Sequence, residues 1–352
     1  MSADGLSLGV SGGEFDLIRR HFTRPVREAV LGGGDDCALL APRSGTHWAV
    51  SSDMLVEGRH FFADVDPQAL GHKALAVNLS DLAACGAEPR AFTLSLSLPQ
   101  RDDAWLAAFA DGLYALADQH RIELVGGDTT AGPLNICITV MGEVPAGQAL
   151  LRSGAQVGDD IWISGPLGEA RVALEALQGA ADCQDLQQSP AWPVWRARLE
   201  RPQPRVALGL ALRGIATAAL DLSDGLLGDL RHVLQASGVS ARLHWDAFLK
   251  SPALAGLSAQ RQHQAVLTGG DDYELLFTVP PQARASVATV GADLGLSLQR
   301  VGEIVLAAPS APSPANIEVL DGQGRPLAIA QLQAFDHFAI AQPGGCAGSR
   351  CP

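Results

Sequence analysis

Apolar residues along this chain recur at two different periods, and the alternation between them predicts the architecture. A spacing of three to four predicts helices over residues 13–22, with Phe15, Ile18 and Phe22 on one stripe, over 66–85, with Leu70, Ala74, Val77 and Leu82, and over 102–120, with Trp105, Phe109, Leu113 and Leu116. Shorter apolar or alternating runs predict strands: the end of the 31–40 segment, 47–52 stopping directly at Asp53, 91–98, 122–125 entering Gly126-Gly127-Asp128, and 134–144. The second half repeats the alternation. Strands are expected at 161–164, 218–222, 240–243, the second half of 269–277 and 301–306, and helices at 168–179, 205–217, 225–237 and 283–294. Residues 182–205 read as an irregular connection, 307–315 as a Pro/Ser-rich loop, and 317–328 as a hairpin around Gly322 to Gly324. Strands alternating with helices at this spacing indicate an α/β chain.

A turn-rich stretch near residues 144–160 marks a division. The expected units are residues 1–148, residues 149–341 and a flexible tail at 342–352. The length of 352 residues agrees with two domains, and 47% hydrophobic with 18% charged residues is globular composition. The balance of 25 basic against 38 acidic residues, a net charge of −13, supplies no bulk positive surface for nucleic acid. Any phosphate chemistry would need local help, and a divalent metal is the obvious source because it inverts the sign of a carboxylate cluster. The cysteines, Cys37, Cys85, Cys137, Cys183, Cys346 and Cys351, are too scattered for a disulfide framework. The chain has neither the pattern of a signal peptide nor an apolar run of membrane length, so the expected location is the cytoplasm, with no membrane partner.

Acidic residues gather beside small residues. Asp35-Asp36 follows three glycines, Asp53 follows Ser51 and Ser52, Asp81 ends Asn-Leu-Ser-Asp, and Asp128 sits in Gly-Gly-Asp-Thr-Thr. Asp221 and Asp224 flank Leu222-Ser223 before Gly225, and Asp271-Asp272-Tyr273-Glu274 follows Gly269-Gly270. Carboxylates repel unless cations neutralise them, hard oxygens suit magnesium, and glycines let backbone N–H groups approach an anion. Together these parts suit phosphoryl transfer. Each aspartate taken alone is more often a turn former or a helix cap, and the pattern by itself does not choose a substrate. The P-loop, the dinucleotide fingerprint and the protein-kinase motifs are missing. Lys73 and Lys250 are the only lysines, so positive charge at a phosphate must come mostly from metal or arginine. His60 and Arg152 are candidate contacts whose ordinary reading is a loop residue, and Cys85 has no nucleophilic partner in sequence.

The ordered set GDDCALL (34–40), KALAVNLSDLAACGAEP (73–89), GGDTTAGP (126–133), DLSDGL (221–226) and GGDDYELLF (269–277) resembles the thiamine-monophosphate kinase family, from Gly13-Glu14-Phe15 to Asp336-His337-Phe338. That family lies within a superfamily that includes aminoimidazole ribonucleotide synthetase. The resemblance implies an α/β (α+β type) two-domain aminoimidazole ribonucleotide synthetase-like fold, with mixed sheets packed with helices. The first domain would bind ATP and metal and dimerise; the second would complete the nucleotide and substrate sites. The implied activity is ATP-dependent phosphorylation of thiamine monophosphate to thiamine diphosphate, a phosphotransfer to a phosphate acceptor, with ATP as co-substrate and several Mg2+ ions. By match to the family's motifs, Asp36, Ser51, Ser52, Asp53, Asp81, Asp128, Asp221 and Asp224 would hold metal. Asp36, Gly127, Asp128, Arg152 and Ser223 would contact ATP, and His60, Asp271 and Phe335 the substrate. Ser52 stands where threonine is usual, Asp271 where glutamate is common, and Phe335 where a larger aromatic ring occurs.

The implied chemistry is direct in-line transfer to a substrate phosphate that needs no covalent nucleophile. Competing readings are another ATP-using synthetase of the superfamily, a noncatalytic magnesium or nucleotide-binding regulator, and a structural α/β protein with many acidic turns. The continuous NLSD, GGDTT and GGDDYE segments disfavour the first, and retention of sites in both halves disfavours the second.

Overall fold

The structure is a computed structural model and describes residues 14–180, 183, 185–307 and 315–328. The elements of the first half are α1 (Glu14–His21), β1 (Thr46–Val56), α2 (Pro67–Ala84), β2 (Glu88–Leu98), α3 (Asp103–His120), β3 (Glu123–Ala131) and β4 (Asn135–Pro145). Those of the second half begin with β5 (Asp160–Ile163), α4 (Glu169–Leu177), α5 (Trp192–Glu200), α6 (Val206–Ala211), β6 (Ala218–Asp221), α7 (Leu226–Ser237) and β7 (Ser240–His244). They continue with α8 (Pro252–Ala255), α9 (Ala259–Thr268), β8 (Leu275–Val279), α10 (Arg284–Leu294), β9 (Gln299–Val305) and β10 (Ile317–Leu320).

Two mixed sheets organise them. The first has the order β1-β4-β2-β3, antiparallel except for the β2/β3 pair. The second has the order β10-β7-β9-β5-β8-β6, antiparallel except for β10/β7. Helix α2 lies between them. Asp66 caps it by accepting from the N–H groups of Gln68 and Ala69, and Pro67 occupies its first turn, where no intrahelical donor is needed. Its apolar and polar residues are buried on every side, Leu70, Leu75, Leu79, Asn78 and Ser80 among them, because sheet, α3 and second domain all pack on it.

Strand β8 is covered on both faces, which explains why Leu-Leu-Phe-Thr-Val is buried along its whole length. Leu275, Phe277 and Val279 join the core of the first half, while Leu276 joins Ile161, Ile163, Leu220 and Val301 in the core of the second. The two halves are thus knit by shared burial, each large side chain contributing about 1.5–3 kcal/mol.

Several expectations need correction. Strand β1 does not stop at Asp53; it continues to Val56, with Asp53 opposite Ile138 in mid-strand. The Gly-Gly-Asp-Thr-Thr segment is strand rather than loop, because β3 pairs with β2 beyond an irregularity at Phe92/Thr93. Residues 31–40 form no regular strand; the Leu31–Leu39 bridge closes a loop there. The stretch 182–205 contains α5, whose Trp195 and Leu199 reach the core, and α6 ends at Ala211 instead of running to residue 217.

Candidate active site at the junction of the two sheets

Strand β1 offers two faces with different surroundings. Ser51 and Asp53 alternate with the half-exposed or exposed Trp48, Val50, Ser52 and Met54 and turn toward α2. The Ser51 hydroxyl donates to Asp81 Oδ2 at 2.5 Å, and the Asp53 backbone N–H donates to Asn78 Oδ1 at 3.1 Å. Next to Asp81 on α2, Ser80 donates to Asp221 Oδ2 across the domain junction at 2.8 Å. Asp221 ends β6, and the chain then turns through Ser223, Asp224 and Gly225 into α7. Asp229 shapes that turn by accepting from the N–H groups of Asp224 at 3.1 Å and Gly225 at 3.0 Å. Gly225 has φ +113°, and a Cβ there would stand 2.7 Å from the Thr268 carbonyl oxygen, so no side chain fits.

Burial and mutual repulsion disfavour the ionised state here. Burial, then Asp81 and Asp224, pushes Asp53 up to about 6. Burial and Asp81 raise Asp221, against the opposing hydrogen bond from Ser80. Burial raises Asp81 as well, although Ser51 and the Arg152 guanidinium oppose it. Asp229 is pushed up to about 7 by burial and by Asp224. A cavity of about 340 Å³ opens at this junction, lined by Ser51, Asp81, Cys85, Arg152 and Asp221 among others. Burial also raises the Cys85 thiol, which holds it in the protonated, weakly nucleophilic form.

Asp36, Gly127 and Asp128 line a second, larger cavity of about 750 Å³ together with Phe22 and Arg24. Asp128 is exposed on the face of the first sheet that α2 does not cover, opposite Ser95 in the β2 register. Gly127 has φ +149° and presses against Leu94, so a Cβ would collide with the Leu94 carbonyl oxygen. Ser52 shares this uncovered face. Its hydroxyl lies 2.9 Å from the Thr139 hydroxyl and donates to the Ile138 carbonyl at 3.2 Å, pointing away from Ser51 and Asp53.

The substrate-matched residues meet elsewhere on the same junction. His60 Nδ1 accepts from the Val56 N–H at 3.0 Å, which fixes the ring after β1. Asp271 lies in the loop before β8, which runs beside the Asp221–Gly225 turn: the N–H of Asp271 donates to Ser223 O at 2.9 Å and that of Tyr273 to Leu222 O at 2.8 Å. Asp271 and Tyr273 both have positive φ, +65° and +50°, an uncommon backbone that the surrounding bonds must enforce. Lys73 of α2 donates to Asp271 Oδ1 at 2.7 Å. Below them Glu274 is fully buried, accepting two bonds from Arg205 at 2.7 and 2.6 Å, one from Arg198 at 3.0 Å and one from Ser164 at 2.5 Å. Asp272 accepts from the Gly168 N–H. Glu274 and Asp272 are therefore scaffold, not ligands.

The fold thus brings Ser51, Asp53, Asp81, Asp221 and Arg152 together, groups Asp36, Gly127 and Asp128 separately, and leaves Ser52 facing away from the first set. Phe335 lies outside the described residues. Sequence reasoning missed Lys73, Asn78, Ser80 and Asp229 as partners of these groups. Lys73 carried a signal, being one of two lysines, and Asp229 another, standing in the first turn after Gly225. Among the described residues no three His, Cys, Asp or Glu side chains form a group that holds a metal ion unaided. The chemistry of the donors nevertheless fits a hard divalent cation: buried carboxylates raised by one another, with Arg152 as the guanidinium acting on them. Magnesium in particular uses few protein oxygens and takes the rest from water and phosphate.

The AIR synthase related protein N-terminal domain matches residues 34–144 and the corresponding C-terminal domain residues 156–308. The chain is 44% identical over 334 residues to the thiamine-monophosphate kinase of Salmonella typhimurium strain LT2, covering 93% of this chain and 98% of that one. The crystal structure of thiamine-monophosphate kinase from Stenotrophomonas maltophilia K279a superposes with a TM-score of 0.76 at 44% identity, covering 86% of this chain and 94% of that one. AaThiL complexed with AMPPCP and TMP gives a TM-score of 0.70 at 26% identity, covering 93% of this chain and 97% of that one.

Proposed function

This chain belongs to the thiamine-monophosphate kinase family of AIR synthase related proteins, and we propose that it transfers the γ-phosphoryl group of ATP to thiamine monophosphate, giving thiamine diphosphate. The observation that carries this reading is the meeting of Ser51, Asp53 and Asp81 from one domain with Asp221 from the other beside a cavity. Two mutually repelling anions must be brought into line, and a junction contributed by both domains can hold one partner on each side.

The attacking atom is a terminal phosphate oxygen of thiamine monophosphate. It forms a bond to the γ-phosphorus as the bond to the β–γ bridging oxygen breaks, and ADP leaves with that electron pair. The phosphate's second pKa is about 6, so the nucleophile is already ionised near neutral pH and needs no strong general base. Magnesium, when bound, compensates the phosphate charge, and Asp36, Ser51, Ser52, Asp53, Asp81, Asp128, Asp221 and Asp224 are the residues we assign to it. Arg152 adds a guanidinium that can meet a phosphate with two donors. We assign ATP contacts to Asp36, Gly127, Asp128, Arg152 and Ser223, and substrate contacts to His60, Asp271 and Phe335. Gly127 lets β3 press against Leu94, where a Cβ would collide with the Leu94 carbonyl oxygen.

The proposal includes a homodimer joined through the uncovered face of the first sheet. Trp48, Val50 and Met54 are 38%, 63% and 53% exposed along edge strand β1, an apolar stripe that a second copy would cover. Residues 1–148 and 149–341 are the corresponding functional units, and the cytoplasm, where ATP is available, is the assigned location. Among the described residues no helix is long and apolar enough to cross a membrane. The test is to incubate the purified chain with ATP, magnesium and thiamine monophosphate and to quantify ADP and thiamine diphosphate. Equal yields of both are expected, and ADP release without thiamine diphosphate would overturn the assignment. With ATP chiral at the γ-phosphorus, one displacement inverts configuration; net retention would reject direct transfer.

A further inference from the structure

We infer that Lys73 is the positioning residue of the substrate site: from within α2 it holds the Asp271 carboxylate by one oxygen, so that the other is presented to a hydrogen-bond donor of thiamine monophosphate. This rests on the reading of Asp271 as a substrate contact.

A buried ammonium is costly unless paired and hydrogen-bonded. The Lys73 side chain is only 3% exposed, and its Nζ reaches Asp271 Oδ1 at 2.7 Å and the His60 carbonyl oxygen at 3.3 Å. One cation therefore joins the loop after β1 to the loop before β8, the loops that carry the two substrate-matched residues within the described chain. The pair is asymmetric. Its lysine end is sealed, whereas the Asp271 side chain is 27% exposed. Lys73 is thus too enclosed to meet a ligand, and the open part of the unit is carboxylate.

The backbone supports the same division of labour. Asp271 has φ +65°, a conformation that carries strain for a residue other than glycine and persists only where neighbours enforce it. The bond from its N–H to Ser223 O holds the main chain, and Lys73 holds the side chain. A carboxylate has two oxygens with about four lone-pair positions, so anchoring one oxygen leaves directional accepting capacity on the other. The aminopyrimidine ring of thiamine monophosphate carries a neutral amine donor. A carboxylate already neutralised by an ammonium suits such a donor, because it selects by direction and not by net charge alone. ATP contacts are assigned to other residues, so an ATP analogue serves as the control ligand for this pair.

The experiment is a double-mutant cycle on the full-length chain with Lys73→Met, Asp271→Asn and the double variant. Thiamine monophosphate and AMPPCP are titrated separately by calorimetry, and KM and kcat are measured for the same proteins. Methionine keeps an unbranched apolar stem in the buried channel; Lys73→Gln replaces it in the cycle if the methionine variant is not folded. Each single variant is expected to weaken thiamine monophosphate about tenfold or more, the scale of a charge-assisted hydrogen bond, with AMPPCP affinity changed less than about twofold. The double variant is expected to bind no more weakly than Asp271→Asn, because Lys73 acts through that carboxylate. Losses that multiply in the double variant, equal weakening of both ligands, or unchanged thiamine monophosphate binding in the lysine variant alone would overturn the positioning role while leaving Asp271 in the site. Unchanged binding in Asp271→Asn would instead overturn the substrate role of Asp271, and the inference with it.

Discussion

Replacing Glu274 with glutamine would test whether the loop that carries Asp271 is held from beneath by charge. Glutamine preserves shape and removes the anion facing Arg205 and Arg198. Removing one member of a buried pair leaves the other uncompensated and costs about 3–5 kcal/mol. Two features lower the figure here. The Arg205 and Arg198 side chains are 18% and 21% exposed, so water can reach them in part, and Arg198 retains Glu169 at 3.3 Å. We expect a loss of about 2–4 kcal/mol at pH 7. The pH dependence has a definite sign. Burial pushes the Glu274 carboxyl up, but Arg205, Arg198 and Ser164 outweigh it and hold it below its ordinary value of 4.5. A depressed pKa in the folded state means stabilisation that is complete above the unfolded value and is lost as pH falls through the folded value. Urea midpoints for wild type and Glu274→Gln should therefore differ most near neutrality and converge below about pH 4.5. The displaced loop should also raise the KM for thiamine monophosphate. A variant within about 0.5 kcal/mol of wild type at pH 7, or a gap that widens on acidification, would mean that the Glu274 charge does not hold this loop.

Other substitutions address other links in the argument. Gly127→Ala must push β3 away from Leu94 and is expected to cost several kcal/mol and to weaken ATP more than thiamine monophosphate; wild-type thermal unfolding would refute the close approach. Asp128→Asn, at an exposed position, is expected to leave the unfolding midpoint within about 0.5 kcal/mol of wild type while lowering turnover by at least about tenfold at every magnesium concentration, and full turnover at saturating magnesium would remove it from the assigned set. Val50→Glu, on the uncovered sheet face, should abolish the proposed dimer in sedimentation velocity with little change in monomer fold; an unaltered sedimentation coefficient would overturn the assignment of that face as the interface.

The legibility of this chain in its sequence follows the range of the forces involved. Helices α2, α3 and α7 were readable within about two residues because capping and spacing are local. The extension of β1 through Asp53 was hidden, since polar Ser51, Ser52 and Asp53 remain in strand only because β4 supplies the register across the sheet. The same holds for Gly126 to Thr130: glycines and hydroxyls signal a turn locally, and pairing with β2 overrides the signal. The site divides likewise. Its aspartates were recognisable as a recurring pattern, but which of them meet was not, because Ser80 reaches Asp221 across 141 residues and Lys73 reaches Asp271 across 198. Adjacent residues can also part company. Ser51 and Ser52 look equivalent in sequence, yet strand alternation sends one to Asp81 and the other to Thr139. What the sequence of such a chain carries is therefore an inventory of chemistry. Partners on the covered side are set by α2, which supplies Asp81 to Ser51, Ser80 to Asp221 and Lys73 to Asp271, so a change on that helix should alter those groups while leaving Asp36, Gly127 and Asp128, on the face it does not cover, in place.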